Sequence, residues 1–259
     1  MLILVPPSEG KTAPASGPPL DLDAHSHPEL LPVRSAVLEA LETLSAGDEE
    51  RALAELHLGP KSRADLQDNL RLRTAPTAPA AEVYTGVLFD RLGLTTLRAP
   101  ARERAEEHLR IVSALWGVLR PSDRIPAYRC PAGARLPGLE SARRTWAGPL
   151  AAALPADQLV VDLRSGPYRE LWRGPEQHST VLVGVVREAA GKRTVVSHDA
   201  KATRGAIARA LLRDRVIWSG RETPERLAGR IEKAGWTVEL GTPSKRGAVE
   251  LTVVERAPG

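Results

Sequence analysis

Leu159-Val160-Val161-Asp162-Leu163-Arg164-Ser165-Gly166-Pro167-Tyr168 is the stretch whose reading decides the fold class. Its first half is a short apolar run, and Ser-Gly-Pro then breaks it. Such a run, bounded by turn residues, reads as a strand buried on both faces in a sheet covered by helices. Polar groups just past the carboxyl end of such a strand stand where open α/β sheets bind ligands. Arg164 and Tyr168 are therefore candidate site residues, against the plainer reading of an ordinary strand-to-helix turn.

Outward from this stretch the pattern alternates. Residues 180–186 and 194–197 read as strands joined by the turn Ala189-Ala190-Gly191-Lys192, and 199–213 reads as a helix. Residues 216–218 form a short strand. Thr223 as N-cap with Pro224 behind it opens a helix to Ala234, and 236–240 with 249–255 closes as a hairpin. Toward the amino terminus, residues 1–5 are a buried strand ended by Pro6-Pro7, followed by a long surface loop over 6–32. Val37, Leu38, Leu41 and Leu44 recur at helical spacing up to Gly47; short helices cover 49–57 and 64–72; residues 74–79 are loop. Residues 82–92 read as an amphipathic helix and 100–116 as the strongest helix in the chain, stopped by Gly117 and followed by turn chemistry at Arg120-Pro121-Ser122-Asp123. Residues 126–140 are irregular and 143–154 helical. No repeat is found. The expectation is one α/β domain over 1–259, mixed, with a central sheet surrounded by helices.

Composition bounds the function. Hydrophobic residues make up 42% of the 259 and charged residues 26%, so the chain has enough apolar material for a core and is not a disordered one. No apolar run approaches the roughly 20 residues of a membrane helix, and the first residues lack the basic region of a signal peptide. A cytoplasmic location is expected. One cysteine, Cys130, excludes an intramolecular disulfide and a cysteine-cluster metal site. The net charge of +4 hides an asymmetry: residues 1–100 carry 9 basic and 14 acidic side chains, residues 101–259 carry 27 and 18. The second part, at net +9, is expected to attract polyanions.

Several motifs are weighed against plain readings. Ser8-Glu9-Gly10-Lys11-Thr12 ends like a P-loop, but Val5 stands where the first glycine is needed, and Pro14, Pro18 and Pro19 preclude the helix that would hold the phosphate. A P-loop is rejected. Lys11 remains as a basic residue on the loop after a central strand. His25-Ser26-His27, near Asp21 and Asp23, reads as a solvated loop and not a metal site. Residues 108–121 read as helix, glycine hairpin and basic turn, able to aim Arg110, Arg120 and the nearby Arg129 at a phosphate. Lys201 and Arg204 share a helix face in the first turns after a strand, where cations oppose the helix dipole; that local conflict points to function. Ser197, His198 and Asp199 do not make a triad, since neighbours at a strand end point different ways.

Together, the opening Met1-Leu2-Ile3-Leu4-Val5-Pro6-Pro7-Ser8-Glu9-Gly10-Lys11-Thr12, the Val83-Tyr84-Thr85-Gly86 box, His108-Leu109-Arg110 through Leu119-Arg120-Pro121, Tyr128-Arg129, and Ala200-Lys201 with Arg204-Gly205 resemble the YaaA family of peroxide-stress proteins over nearly the whole chain. The resemblance implies an α/β fold of unusual topology with a helix-hairpin-helix-like element, a basic cleft and binding to DNA. It also implies protection during peroxide stress through less free intracellular iron and less Fenton damage to DNA. The chain departs from the family at Pro7-Ser8-Glu9-Gly10, at His198-Asp199 and around Asp162. Two expectations follow. In the first, Arg110, Arg120, Arg129, Arg164, Lys201 and Arg204 hold duplex or distorted DNA by its phosphates, with Tyr84, Tyr128 and Tyr168 stacking or donating hydrogen bonds. In the second, the protein is an enzyme acting on a small phosphorylated or nucleotide substrate, with Lys11 and Lys201 in a pocket. No cofactor and no metal ligand set is expected, and direct iron chelation is disfavoured by a single cysteine and scattered histidines. Convergence on a narrow pocket favours the enzyme; an open groove as wide as a duplex favours DNA.

Overall fold

The computed structural model describes residues 1–59, 62–155, 157–175, 180–189, 192–195, 197–218, 222–245 and 247–256, with the backbone alone at 64, 195 and 197–199. At its centre lies β1 (Leu2–Val5), fully buried. Parallel strands flank it on both sides: β3 (Leu109–Ser113) on one, β6 (Val160–Asp162) on the other. β4 (Gly117–Leu119) pairs antiparallel with β3 and closes that edge. Beyond β6 come β7 (Thr180–Ala189) and β10 (Val249–Arg256), both parallel, then β9 (Thr237–Leu240), antiparallel; β8 (Lys192–Val195) folds back on β7. The 159–163 strand, both hairpins and the Thr223-capped helix are where the sequence places them. Thr223 accepts from the Arg226 amide at the start of α10 (Pro224–Lys233).

Helices cover the sheet: α1 (Leu31–Ala46), α2 (Glu49–Glu55), α3 (Arg63–Asn69), α4 (Ala80–Val83), α5 (Val87–Leu92), α6 (Ala99–His108), α7 (Ala142–Ala153), α8 (Gly166–Arg169) and α9 (Ser197–Arg213). One apolar core runs from Met1 to Val253. Among the described residues no helix is long and apolar enough to cross a membrane.

Four expectations of secondary structure need correction. The helix expected over 100–116 ends at His108, and Leu109–Ser113 is the buried neighbour of β1. The pull of a two-sided core site on Leu109, Ile111 and Val112 overrides local helix preference. Residues 99–119 are thus a helix and a β-hairpin, not a helix running into a glycine turn. Gly117 has φ +70°, and a Cβ there would come within 2.4 Å of the buried Trp146 ring, so the hairpin turn demands glycine. The helix expected over 82–92 is split into α4 and α5, because Tyr84 leaves it for a β-bridge to Lys11. Residues 216–218 are turn, not strand. Ala78–Pro79, within the expected 74–79 loop, forms β2 and pairs with β5 (Arg124–Ile125).

The loop at His25-Ser26-His27 is anchored, not solvated. Asp123 accepts from the Ser26 amide and hydroxyl at 2.8 and 2.5 Å, and the buried His25 bonds the Arg124 carbonyl.

β1 pairs parallel with β3 on one side and β6 on the other, so the chain leaves it in both directions. The carboxyl end of β1 is therefore a topological switch point, the position at which α/β sheets open a crevice.

Candidate functional site

The loop leaving β1 turns back over the carboxyl ends of the strands. It is pinned beside the segment between α4 and α5: Thr12 donates its amide to the Val83 carbonyl at 2.9 Å, and the Ser8 hydroxyl donates to the Thr85 carbonyl. The Lys11 ammonium curls back on its own loop. Its Nζ donates to the carbonyls of Ser8 at 2.7 Å and Glu9 at 3.3 Å. It lies 4.1 Å from the centre of the Tyr128 ring and 5.6 Å from that of Tyr84. Burial, followed by the charge of Arg129, pulls its pKa down to about 7, against smaller opposing pulls from Cys130, Asp65 and Glu9.

Beneath it runs a chain of hydroxyls. Ser113, the last residue of β3, bonds Tyr128 Oη at 2.7 Å, and Tyr128 Oη bonds Tyr84 Oη at 2.6 Å. Ser113 Oγ also accepts from the amides of Leu115 and Trp116, at 3.1 and 3.3 Å. With both lone pairs occupied, Ser113 donates to Tyr128, Tyr128 to Tyr84, and the Tyr84 proton is left over. Burial raises the pKa of both tyrosines and keeps them protonated. It also pushes the buried Cys130 thiol up to about 12, so that thiol stays protonated.

Arg129 borders this cluster. The fully buried Asn69 on α3 bonds its amide and its carbonyl, each at 2.8 Å. Its guanidinium donates to the Leu56 carbonyl and reaches Glu9 at 3.5 Å.

Alongside lies a cleft of about 600 Å³. Ser8, Glu9 and Gly10 form one lip, Gly86–Phe89 another; Ser165, Gly166, Tyr168 and Arg169 come from beyond β6, and Lys201 and Arg204 from α9. α9 reaches this position because Gly205 has no side chain: a Cβ there would stand 2.2 Å from the Leu88 carbonyl oxygen of α5. The floor holds Gly184 of β7, with Glu250 and Thr252 of β10 beside it.

The charges of this cleft are unevenly matched. Asp162, buried, is bound bidentately by the fully buried Arg164, at 2.9 and 2.7 Å. Arg164 also donates to the carbonyls of Tyr168 and Trp172, which fixes the turn after β6. Arg169 approaches the same carboxylate only to 3.9 Å, and its buried Nε lacks a hydrogen-bond partner. Arg204 has a Val183 carbonyl at 3.2 Å; burial, then repulsion from Arg169, lowers its pKa. Lys201 is exposed. Arg169, Lys201 and Arg204 outnumber the two carboxylates on the cleft lining, Glu9 and Glu250, and the buried Asp162 is already bound by Arg164, so a small positive excess is left that favours an anionic ligand.

The structure gathers Lys11, Tyr84, Tyr128 and Arg129 into one cluster and sets Tyr168, Lys201 and Arg204 on the adjoining cleft. Arg164 supports the cleft from below instead of lining it. Arg110 and Arg120 lie elsewhere, at the β3–β4 edge. Arg110, three residues before Ser113 on a strand, turns to the other face. There it is buried and donates to His27 and to the carbonyls of Glu106 and Leu109. Arg120 is exposed and its amide donates to Asp123. Sequence reasoning missed Arg169, Ser113 and Glu250. Arg169 stands directly after the quoted strand and turn, and Glu250 alternates with the buried Val249 and Leu251, so both carried a local signal. The side chains of Ser197, His198 and Asp199 lie outside the described residues.

The family model for peroxide stress protein YaaA matches residues 1–239. A UPF0246 protein of Streptomyces coelicolor is 44% identical over 252 residues, covering 95% of each chain. One from Corynebacterium efficiens is 40% identical over 252 residues, 95% of this chain and 97% of the relative. One from Corynebacterium glutamicum strain R is 37% identical over 258 residues, 98% of this chain and all of the relative.

Proposed function

This chain belongs to the peroxide stress protein YaaA family, and we propose that it binds, and acts as an enzyme on, a small phosphorylated or nucleotide ligand in the cleft at the carboxyl ends of β1 and β6. The observation that carries this reading is the excess of cations there. Arg169, Lys201 and Arg204 line a 600 Å³ space whose nearest buried carboxylate is already occupied by Arg164. That volume suits a nucleotide-sized molecule. Tyr168 and Phe89, on the same walls, offer apolar surface to the rest of it. On this reading the protein works in the cytoplasm, and any sparing of DNA or lowering of free iron during peroxide stress runs through the ligand or its product.

The test is calorimetric titration with inorganic phosphate and with ADP at low salt. Arg204→Ala loses a charge-assisted hydrogen bond and weakens ADP binding by about 1.5–3 kcal/mol, while melting close to the parent. ADP that binds neither protein, or binds both equally, removes the reading.

DNA binding is the second reading, and a different surface favours it. Arg98, Arg213, Arg215 and Lys233 are exposed around the ends of α6, α9 and α10, along two adjacent grooves, and have no acidic partner among the described residues. This face offers phosphate contacts with no base-reading element.

A further inference from the structure

We propose that the floor of the cleft, formed by Gly184, Glu250 and Thr252, is a subsite for the vicinal hydroxyls of a sugar, so that the ligand is a ribosyl phosphate or ribonucleotide and not a bare phosphate. The proposal deepens the reading above and rests on the cleft as an anion site. It names the part of the ligand that the cations do not explain.

Three observations carry it. The first is a carboxylate where an anion site has no use for one. Glu250 lines the cleft together with Arg169, Lys201 and Arg204, yet its carboxylate makes no hydrogen bond or ion pair among the described residues. Glu9, the other carboxylate of the lining, reaches Arg129 at 3.5 Å. An unpaired carboxylate repels a phosphate and only accepts hydrogen bonds. It marks the place where the ligand presents donors. The Thr252 hydroxyl, two residues on and on the same face of β10, is likewise without a partner among the described residues, and it can donate as well as accept.

The second is a glycine that the fold does not require. Gly184 sits inside β7, paired with Thr252, and its φ is not positive. A Cβ there would stand 3.5 Å from Glu250 Oε1 and 4.0 Å from Thr252 Oγ1, both ordinary contacts. Gly117 and Gly205, by contrast, exclude a side chain by collision. A glycine weakens a strand, and one with room for a side chain keeps its surface clear for a ligand to approach. An atom standing over Gly184 is within reach of the carboxylate and the hydroxyl together.

The third is spacing. Leu182 pairs with Asp162, the last residue of β6, so the Val183 carbonyl lies just past the end of that strand. Arg169 and Arg204 both donate to it, at 3.4 and 3.2 Å. Glu250 and Thr252 stand on β10, on the other side of β7. Neighbouring strands lie about 4.8 Å apart, so the cations and the carboxylate are separated by roughly one to two strand spacings. That is the reach of a sugar between its phosphate and its ring hydroxyls. An acidic residue on sugar hydroxyls beside a phosphate site is the general way α/β sheets hold nucleotides.

The experiment is calorimetric titration of the intact protein at low salt with ADP, its 2′,3′-dideoxy analogue and inorganic pyrophosphate. ADP is expected to bind at least about tenfold more tightly than the dideoxy analogue, because a site built to bond a hydroxyl rejects the ligand that lacks it. Glu250→Ala weakens ADP at least about tenfold and erases the preference over the analogue. It binds pyrophosphate as tightly as the parent or more so, since a repelling charge is gone. Gly184→Val places a β-branched side chain in a strand, so it melts no lower than the parent while losing ADP at least about tenfold and keeping pyrophosphate. Equal binding of ADP and the dideoxy analogue by the parent overturns the proposal and leaves the anion site standing. So does Glu250→Ala that binds ADP like the parent, or that weakens pyrophosphate as much as ADP. Gly184→Val that binds ADP at parental strength takes the hydroxyls off this floor; if it does not fold, Gly184→Ala, whose Cβ meets only ordinary contacts, replaces it. If neither ADP nor pyrophosphate binds the parent, the anion reading itself fails, and the proposal with it.

Discussion

At the β3–β4 edge, Arg34 is fully buried and donates four hydrogen bonds, to the carbonyls of Trp116, Ser26, His27 and Val118, at 2.7–3.2 Å. Arg110, nearby, is likewise satisfied by carbonyls and His27, and burial pushes both guanidiniums down to about 10. At the cleft, Arg169 donates only to the Val183 carbonyl, at 3.4 Å, with its buried Nε left without a hydrogen-bond partner, Arg204 donates to the same carbonyl at 3.2 Å, and both stand near a carboxylate already taken. The two regions hold similar charges, buried at the edge and partly exposed at the cleft, and the edge set is spent on the fold while the cleft set is spent only in part. Counting basic residues along the chain cannot separate them; counting what each cation donates to does.

The sharpest way to break this comparison is Arg34→Met. If the β3–β4 edge is purely structural, the carbonyls of Trp116 and Val118 lose their guanidinium donors inside the core. Each unsatisfied buried acceptor costs about 1–3 kcal/mol, so denaturant unfolding should report a loss of about 3 kcal/mol or more. The same variant should bind ADP as the parent does. A stable Arg34→Met with weakened ADP binding would erase the distinction between the two regions.

Lys11 tests the cleft side by pH. Its folded pKa, lowered to about 7 from 10.5, means that between those values the unfolded chain binds a proton that the folded one does not. Stability from this group therefore rises with pH across that window, and the full cost of burying its charge is felt below pH 7. Lys11→Met removes that cost but also two hydrogen bonds worth about 1 kcal/mol each. After discounting the charge term for the side chain's partial exposure, a net gain on the order of 1 kcal/mol is expected at pH 6. The gain should shrink steadily toward pH 10 in melting curves. A variant that gains nothing at pH 6 relative to pH 10 would place the ammonium in water.

Much of this architecture is written locally. Residues 159–163 are apolar and end at Ser-Gly-Pro, and the hairpin at 236–255 and the Thr223 cap rest on equally local chemistry; all appear as expected. Leu109–Ser113 was illegible for the opposite reason. Its residues suit a helix as well as a strand, and only the place beside β1 decides. The site divides in the same way. Lys11, Tyr84, Tyr128 and Arg129 carry the family resemblance and meet in space. Arg110, quoted with them, does not, since strand alternation turns it to the other face from Ser113. The role of Ser113 depends on amides of the turn after β3, and no spacing rule reports that. The P-loop was rightly refused: Lys11 folds back on its own loop, with no helix following it.

The smallest effect tests whether the exposed cations of α6, α9 and α10 form a third class, neither structural nor part of the cleft. If duplex DNA binds there, it does so through phosphates alone, because no element on that face is shaped to read base edges. The logarithm of the binding constant should then fall linearly with the logarithm of salt concentration, by about 0.9 per phosphate neutralised. Arg98→Ser with Arg213→Ser removes two exposed cations with no acidic partner among the described residues, so the slope should shrink by about 1.8 if both touch phosphate. Neither side chain supports the core, and each change should move stability by no more than about 0.5 kcal/mol. Arg204→Ala, by contrast, should leave the DNA slope unchanged while weakening ADP. If Arg204→Ala reduces the DNA slope and the double variant does not, DNA and ADP share the cleft, and the cations of α9 belong to one site along the whole helix.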